Sequence, residues 1–193
     1  MDTNETLNEM FDGVILNNEL SGILAAAYRF SHASGGTSGW SFGRCQFDVK
    51  NNASVPTLLR KLGFTNEEMN SIITEAVDPR QWNARLLAGS AIIDEADTAQ
   101  LTYCLDKALN FITTYGIPVE SPGGILASAD YCNQYGSEGQ GAVAYYKPLG
   151  RPITAEDVLA FKLTLTKYGE NHPADCRRRY AGVMKVVNGG VIA

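Results

Sequence analysis

Cysteine is sparse in this chain of 193 residues, and no two cysteines stand in a C-x-x-C pair. Cys45, Cys104, Cys132 and Cys176 lie far apart, with none of the spacings of a zinc site, so they read as reduced, buried small hydrophobes. Histidine is scarcer still. His32 and His172 are the two in the chain, and neither has an acidic partner motif. Metal catalysis is therefore not expected, and the sequence calls for no metal and no cofactor. No serine sits in G-x-S-x-G and no cysteine has a catalytic context, which removes support for a hydrolase triad. Long apolar runs are missing too. A membrane helix needs about 20 apolar residues, so no membrane insertion is expected. The N-terminal MDTNETLNEMFDG lacks a basic n-region and an apolar h-region, which predicts synthesis in the cytoplasm without a secretory signal. Positive charge is short: 16 Lys+Arg against 21 Asp+Glu give a net charge of -5 and a pI near 5.0. Nucleic acid and anionic membrane surfaces, which require a basic face, are excluded as expected partners.

What the chain does have is enough apolar content for a core, 45% of its residues. Without repeats, low-complexity tracts or linkers, it reads as a single domain over residues 1–193. Most of it reads as helices separated by clear stops. Residues 19–33 carry Leu20, Ile23, Leu24, Ala27 and Phe30 at helical spacing, with Asn17 and Asn18 as caps. Residues 54–62 place Pro56 in a first turn and Gly63 as the stop. Thr65 with Glu68 forms a capping box for a helix to about Val77, and Asp78-Pro79 opens another that ends at Gly89. Residues 90–115 set Leu101, Cys104, Leu105, Ala108, Leu109 and Ile112 on one face. Helices follow over 122–135, over 154–168 (opened by Thr154 and Asp157) and over 173–187. Residues 34–49, SGGTSGWSFGRCQFDV, break the pattern: glycines alternate with aromatics, as in a small β-hairpin or sheet near residues 36–49. The expected class is α+β, mainly α.

The first 52 residues carry the candidate chemistry. Glu19 is expected to open a helix, and a hairpin some twenty residues later presents Ser41, Gln46 and Asp48 beside Trp40 and Phe42. A carboxylate at a helix end opposite a polar hairpin is a layout glycosidases use, one carboxylic acid protonating the glycosidic oxygen while a second carboxylate or a held water meets the cationic sugar. Arg44, Gln46 and Asp48 alternate, which predicts one polar strand face. Tyr28, His32, Trp40 and Asn52 add aromatic faces and polar groups for a sugar. Each also has a plain structural reading. Glu19 suits a first-turn glutamate favouring the helix dipole, Asp48 suits a turn cap or a bond to backbone amides over residues 48–52, Ser41 suits a water-exposed hairpin hydroxyl, and His32 suits a structural helix end. Farther on, Asp130 to Gly136 sets tyrosines and amides on a helix end, where they would suit sugar hydroxyls or simply close the helix at Gly136. Arg177, Arg178 and Arg179 form the basic run, expected as a solvated face or a contact for acidic glycan groups.

Residues 19–52 resemble the lysozyme-like superfamily: phage and goose-type lysozymes, lytic transglycosylases and bacterial chitosanases. Gly39-Trp40-Ser41-Phe42-Gly43 is similar to the G-aromatic-Thr-x-G strand of phage lysozymes and chitosanases. Phe42 to Asp48 is similar to the F-G-x-x-Q-x-D strand of goose-type lysozymes, and Arg29-Phe30-Ser31-His32-Ala33 to their R-E-S-H-A helix end. The goose-type acid position holds Phe30, which cannot donate a proton. The chitosanase pattern instead implies Glu19 as acid, 22 residues before Ser41, with that family's second carboxylate falling at Gly36. The resemblance thus implies a lysozyme-like helical domain with Glu19 as proton donor, Asp48 and Ser41 placing water or stabilising the cation, and Trp40, Gln46, His32, Tyr28 and Asn52 binding substrate. It also implies a glycoside hydrolase acting on the β-1,4-linked aminosugar backbone of peptidoglycan, an endolysin or muramidase-type effector that reaches the periplasm or cell wall by release or delivery. A chitosanase is the enzymatic rival, which the acidic charge favours because chitosan is cationic. A non-catalytic glycan-binding protein is the other rival, favoured by Phe30. An anhydro-forming transglycosylase needs one acid and no base, so the role of Asp48 separates it from a hydrolase.

Overall fold

The computed structural model describes residues 3–32, 38–136 and 138–189. The class is the expected α+β, mainly α, with one small three-stranded antiparallel sheet. Backbone contacts divide the chain into two compact units, residues 1–18 with 100–193, and residues 19–99.

The first unit begins with α1, Thr3–Leu20, whose last two residues belong to the second unit. Leu7, Phe11, Val14 and Ile15 recur at helical spacing and are all buried. Next comes the end of α5, Ser90–Tyr115, then α6, Pro122–Tyr135, and α7, Gln140–Tyr146. The unit closes with α8, Ala155–Leu165, α9, Lys167–Asn171, and α10, Pro173–Val187. Helices α6, α8 and α10 pack mutually around Leu126, Val158, Phe161 and Val183. The predicted Thr154–Asp157 capping box is formed, but the helix expected over 154–168 is two helices. Thr166 leaves helical geometry and its hydroxyl accepts the Gly169 N–H at 2.9 Å, capping α9.

Gly182 on α10 is needed for packing. A Cβ there would stand 1.9 Å from Asn18 Oδ1. The Asn18 amide is buried and tied to Asp130 Oδ1 at 3.0 Å and the Arg179 carbonyl at 3.2 Å, so it has nowhere to move. Gly182→Ala is therefore expected to destabilise by about 1–3 kcal/mol in urea unfolding, despite alanine's better helix propensity.

The second unit holds a short 3-10 helix, Leu24–Tyr28, then β1, Ser31–His32, β2, Trp40–Phe42, and β3, Phe47–Asp48. It continues with α2, Val55–Lys61, α3, Asn66–Ile73, a 3-10 turn, Pro79–Trp82, and α4, Asn83–Ala88, before the start of α5. The predicted stops at Gly63 and Gly89 hold, as does the Thr65–Glu68 capping box. Helix α3 ends at Ile73 rather than near Val77, and Glu75 just beyond takes φ 56°.

The helix expected over 19–33 is not there. Ser21 (φ 53°) and Gly22 (φ 83°) turn the chain out of helical geometry straight after Leu20. Two members of the apolar stripe, Ile23 and Leu24, are consequently 61% and 46% exposed. The proposed stops at residues 35 and 36, the second-carboxylate position Gly36 and the start of the expected hairpin all lie outside the described residues.

Candidate functional site

The sheet divides the predicted site residues by face. Ser31 pairs with Ser41 and Ser41 with Asp48, while His32 pairs with Trp40 and Phe42 with Phe47. Side chains directly opposite in an antiparallel pair share a face. One face is therefore polar, with Ser31, Ser41 and Asp48, and the other carries His32, Trp40, Phe42 and Phe47. Gln46 joins the polar side, its Oε1 accepting the Ser31 hydroxyl at 2.7 Å. The single strand face predicted for Arg44, Gln46 and Asp48 is not formed, because residues 43–46 make the β2–β3 turn and Gln46 takes φ 53°. Arg44 turns toward Asp97 instead.

Glu19 lies in the last turn of α1, the opposite helix end from the one expected. A helix C-terminus carries partial negative charge, so a glutamate there opposes the dipole rather than favouring it. Its side chain is half-buried, and its charge reaches the Cys45 thiol in the β2–β3 turn. That thiol is pushed well up by burial, then by the charge and hydrogen bond of Asp97, with Glu19 adding to both.

Two carboxylates that sequence reasoning missed stand in this region, both from the start of α5. Asp97 is fully buried and accepts the backbone N–H groups of Arg44 at 2.8 Å and Cys45 at 2.9 Å, with the Arg44 guanidinium at 3.7 Å. Burial raises its carboxyl above the ordinary range, and the two amides and Arg44 only partly reverse this. Asp94 accepts the Tyr28 hydroxyl at 2.9 Å, and burial followed by that bond raises the phenol. The signal was the i, i+3 spacing of Asp94 and Asp97 on a helix start, which nothing in the sequence tied to a turn fifty residues earlier.

The remaining predicted residues hold the backbone in place. Asp48 Oδ1 accepts N–H groups from Lys50 at 2.9 Å, Asn51 at 3.2 Å and Gly39 at 3.5 Å, and Oδ2 accepts the Asn51 amide at 2.8 Å. Burial alone would raise this carboxyl, yet the Asn51 side chain and the three amides hold it below its usual range. Asn52 Oδ1 accepts the Ser54 N–H at 3.0 Å and hydroxyl at 2.7 Å at the start of α2. His32 ends no helix; it is exposed in β1, its ring edge-on to Trp40 at 4.8 Å and its Nε2 3.3 Å from Glu75. The Arg80 guanidinium lies 5.5 Å from the Trp40 ring. Phe30 is a core residue, edge-on to Phe42 and Phe64 at 5.6 and 6.1 Å.

The first unit contains a buried polar cluster of its own. Asp130 and Arg179 form a two-point ion pair, Nη2–Oδ1 at 2.6 Å and Nε–Oδ2 at 2.9 Å, which Asn18 completes. Burial pushes the Asp130 carboxyl up, but the charge and bonds of Arg179 win and lower it. Lys162 is 4% exposed, donates to Gln134 Oε1 at 2.7 Å and has its ammonium destabilised by burial. The Tyr131 and Tyr135 rings each lie 5.9 Å from that ammonium. The run 177–179 is thus divided: Arg177 is exposed, Arg178 pairs with Asp175 at 2.7 Å, and Arg179 is interior. Helix α6 does close at Gly136 (φ 84°).

Glu138 is buried between α6 and α7. Its Oε1 accepts from Tyr146 at 3.0 Å and Ser128 at 3.4 Å, while Oε2 has no protein partner. Burial raises its pKa to about 7, with Tyr146, Ser128 and the Lys162 charge pulling weakly the other way. Protons are therefore bound more tightly in the folded state, so this group's stabilisation is complete below pH 4.5 and lost as pH rises toward 7. Wild type is expected to lose on the order of 3 kcal/mol across that window relative to Glu138→Gln, which keeps the Tyr146 bond and cannot ionise. Denaturant unfolding of both proteins at pH 4.5 and pH 8 checks this; equal pH dependence in the two would contradict it.

Among the described residues no group of His, Cys, Asp or Glu is arranged to hold a metal ion, and no helix is long and apolar enough to cross a membrane. No family model matches the chain, and neither curated proteins nor solved structures give a match.

Proposed function

We propose that this protein cleaves the β-1,4-linked aminosugar backbone of peptidoglycan with Glu19 as the general acid. The observation that carries the reading is the placement of Glu19. A half-buried carboxylate sits at the unfavourable end of a helix and is felt electrostatically at the turn that closes the polar sheet face. A glutamate in a last turn works against the helix dipole, and departures from local rules concentrate at functional sites. In the reaction, the Glu19 carboxylic acid gives its proton to the glycosidic oxygen as the bond to C1 breaks, and Gln46 in the β2–β3 turn offers a hydrogen bond to the sugar, while Ser41, buried in β2, acts only from behind that surface.

The second half of the reaction follows from Asp48. Both its oxygens accept hydrogen bonds within its own turn, so it is poorly placed to activate water. That favours a single-acid course, in which a hydroxyl of the same sugar attacks C1 and returns its proton to Glu19, leaving an anhydro end. Chitosan cleavage by the same acid is the rival within enzymes, and glycan binding without cleavage is favoured by Phe30 in the core. The test is digestion of purified sacculi and soluble chitosan in parallel, with products read by mass spectrometry. Anhydro ends from sacculi support the proposal, and free reducing ends replace its second half with hydrolysis. Products from chitosan alone, or binding to sacculi with no release, overturn it.

A further inference from the structure

Asn52-Ala53-Ser54 stands between β3 and α2 and has the Asn-x-Ser/Thr pattern, with x other than proline, of chains that carry N-linked glycans. Its geometry is more specific than the pattern. Asn52 Oδ1 accepts both the Ser54 N–H at 3.0 Å and the Ser54 hydroxyl at 2.7 Å, while Asn52 Nδ2 has no partner among the described residues. The main chain is held on both sides: the Asn52 N–H donates to the Asp48 carbonyl at 3.0 Å, and the Asn52 carbonyl accepts the Val55 N–H at 3.1 Å. Ala53 and Ser54 are exposed and Asn52 is half-buried, so the turn is open to an enzyme. We propose that Asn52 is an N-glycosylation acceptor in the folded chain, taking an oligosaccharide onto Nδ2 from a lipid-pyrophosphate donor.

A carboxamide nitrogen is a weak nucleophile because its lone pair is spread into the carbonyl. As Nδ2 gives up a proton, negative charge gathers on Oδ1, and donors already aimed at that oxygen stabilise it without reorganising. The Ser54 N–H and hydroxyl are those donors. The step then balances with no oxidation or reduction. The Nδ2–C1 bond forms and the C1–O bond to pyrophosphate breaks. The lipid pyrophosphate leaves with the bonding pair, and the Nδ2 proton passes to a base of the transferring enzyme.

The other triplet of this pattern, Asn4-Glu5-Thr6, supplies an internal comparison. It lies within α1, and a side chain that bonds the amide two residues on competes with helical backbone rather than sharing it. The pattern alone treats Asn4 and Asn52 alike, whereas the geometry selects Asn52. Ser54 makes no side-chain cap to α2, so its hydroxyl is removable with the helix left in place. The proposal is independent of any glycosidase activity and concerns the chain once it stands outside the cytoplasm, where the proposed cell-wall substrate also lies.

The full folded chain is incubated with an oligosaccharyltransferase and a lipid-pyrophosphate-linked oligosaccharide, and the glycan is located by intact mass and peptide mapping. An Asn-x-Thr acceptor peptide in the same reaction shows that transfer is active. The expected result is a single glycan at Asn52, with Asn4 unmodified. Ser54→Ala should lose the glycan and Ser54→Thr should keep it, with circular dichroism showing both variants folded. No glycan on the wild-type chain beside a modified peptide would overturn the proposal. So would a glycan at Asn4 in equal or greater yield, or an Asn52 glycan undiminished in Ser54→Ala.

Discussion

Arg179→Met is expected to cost the protein about 3–5 kcal/mol, the largest single loss of stability in the molecule, read as a lower urea midpoint at unchanged slope. The reason is what the substitution leaves behind. Asp130 is 2% exposed and takes both its ion-pair bonds from Arg179. Without the guanidinium it keeps only the Asn18 amide, at 3.0 Å. The buried carboxylate must then stay charged with only the Lys162 charge to offset it or take up a proton, and its pKa, now held down chiefly by Arg179, would climb. Pairing Arg179→Met with Asp130→Leu should recover part of the loss, because it removes the orphaned carboxylate while leaving the buried Lys162 ammonium without the Asp130 charge. A loss below about 1 kcal/mol in the single variant would mean that water reaches Asp130, and the buried-pair description would be wrong.

Glu19→Gln is expected to lower glycan cleavage by about 10²–10⁴-fold with binding to sacculi retained, since general acid catalysis contributes on that scale. Glutamine keeps the size and hydrogen-bonding capacity but has no proton to give to a leaving oxygen. Asp48→Asn supplies the contrast. Asn retains an acceptor for the amides of Lys50 and Asn51, so the turn should persist with a modest stability loss. Activity should stay within a few-fold if the reaction uses one acid. A collapse of activity in Asp48→Asn with the fold intact would return Asp48 to the role of base and make the enzyme a hydrolase.

The sequence was readable where a local device sets the structure. The capping boxes at Thr65–Glu68 and Thr154–Asp157, the proline at position 56 and the bounds of α5, α6 and α10 all follow from residues within one helical turn of each other. It misled where a residue answers to distant partners. Asn17 and Asn18 look like caps, and that moved the expected helix start to Glu19; Asn18 is instead a buried anchor between α6 and α10. The same shift hid α1, although Leu7, Phe11, Val14 and Ile15 already carried its period. The candidate site shows the same division. Ser41, Gln46 and Asp48 do come together around the small sheet, but by strand pairing and the turn between the strands, since the turn at residues 43–46 breaks the alternation of Arg44, Gln46 and Asp48. Asp97, Glu138 and Lys162 were not legible, because a buried carboxylate or amine is defined by the elements that cover it and not by its neighbours in sequence.

Soluble product from peptidoglycan sacculi, measured by mass spectrometry for wild type and Glu19→Gln side by side, tests the central claim most directly. Anhydro-ended glycan fragments from wild type, reduced at least about 100-fold in a folded Glu19→Gln protein, are the expected result. Equal release by the two proteins would contradict the assignment of Glu19, and no release by either would contradict cleavage itself.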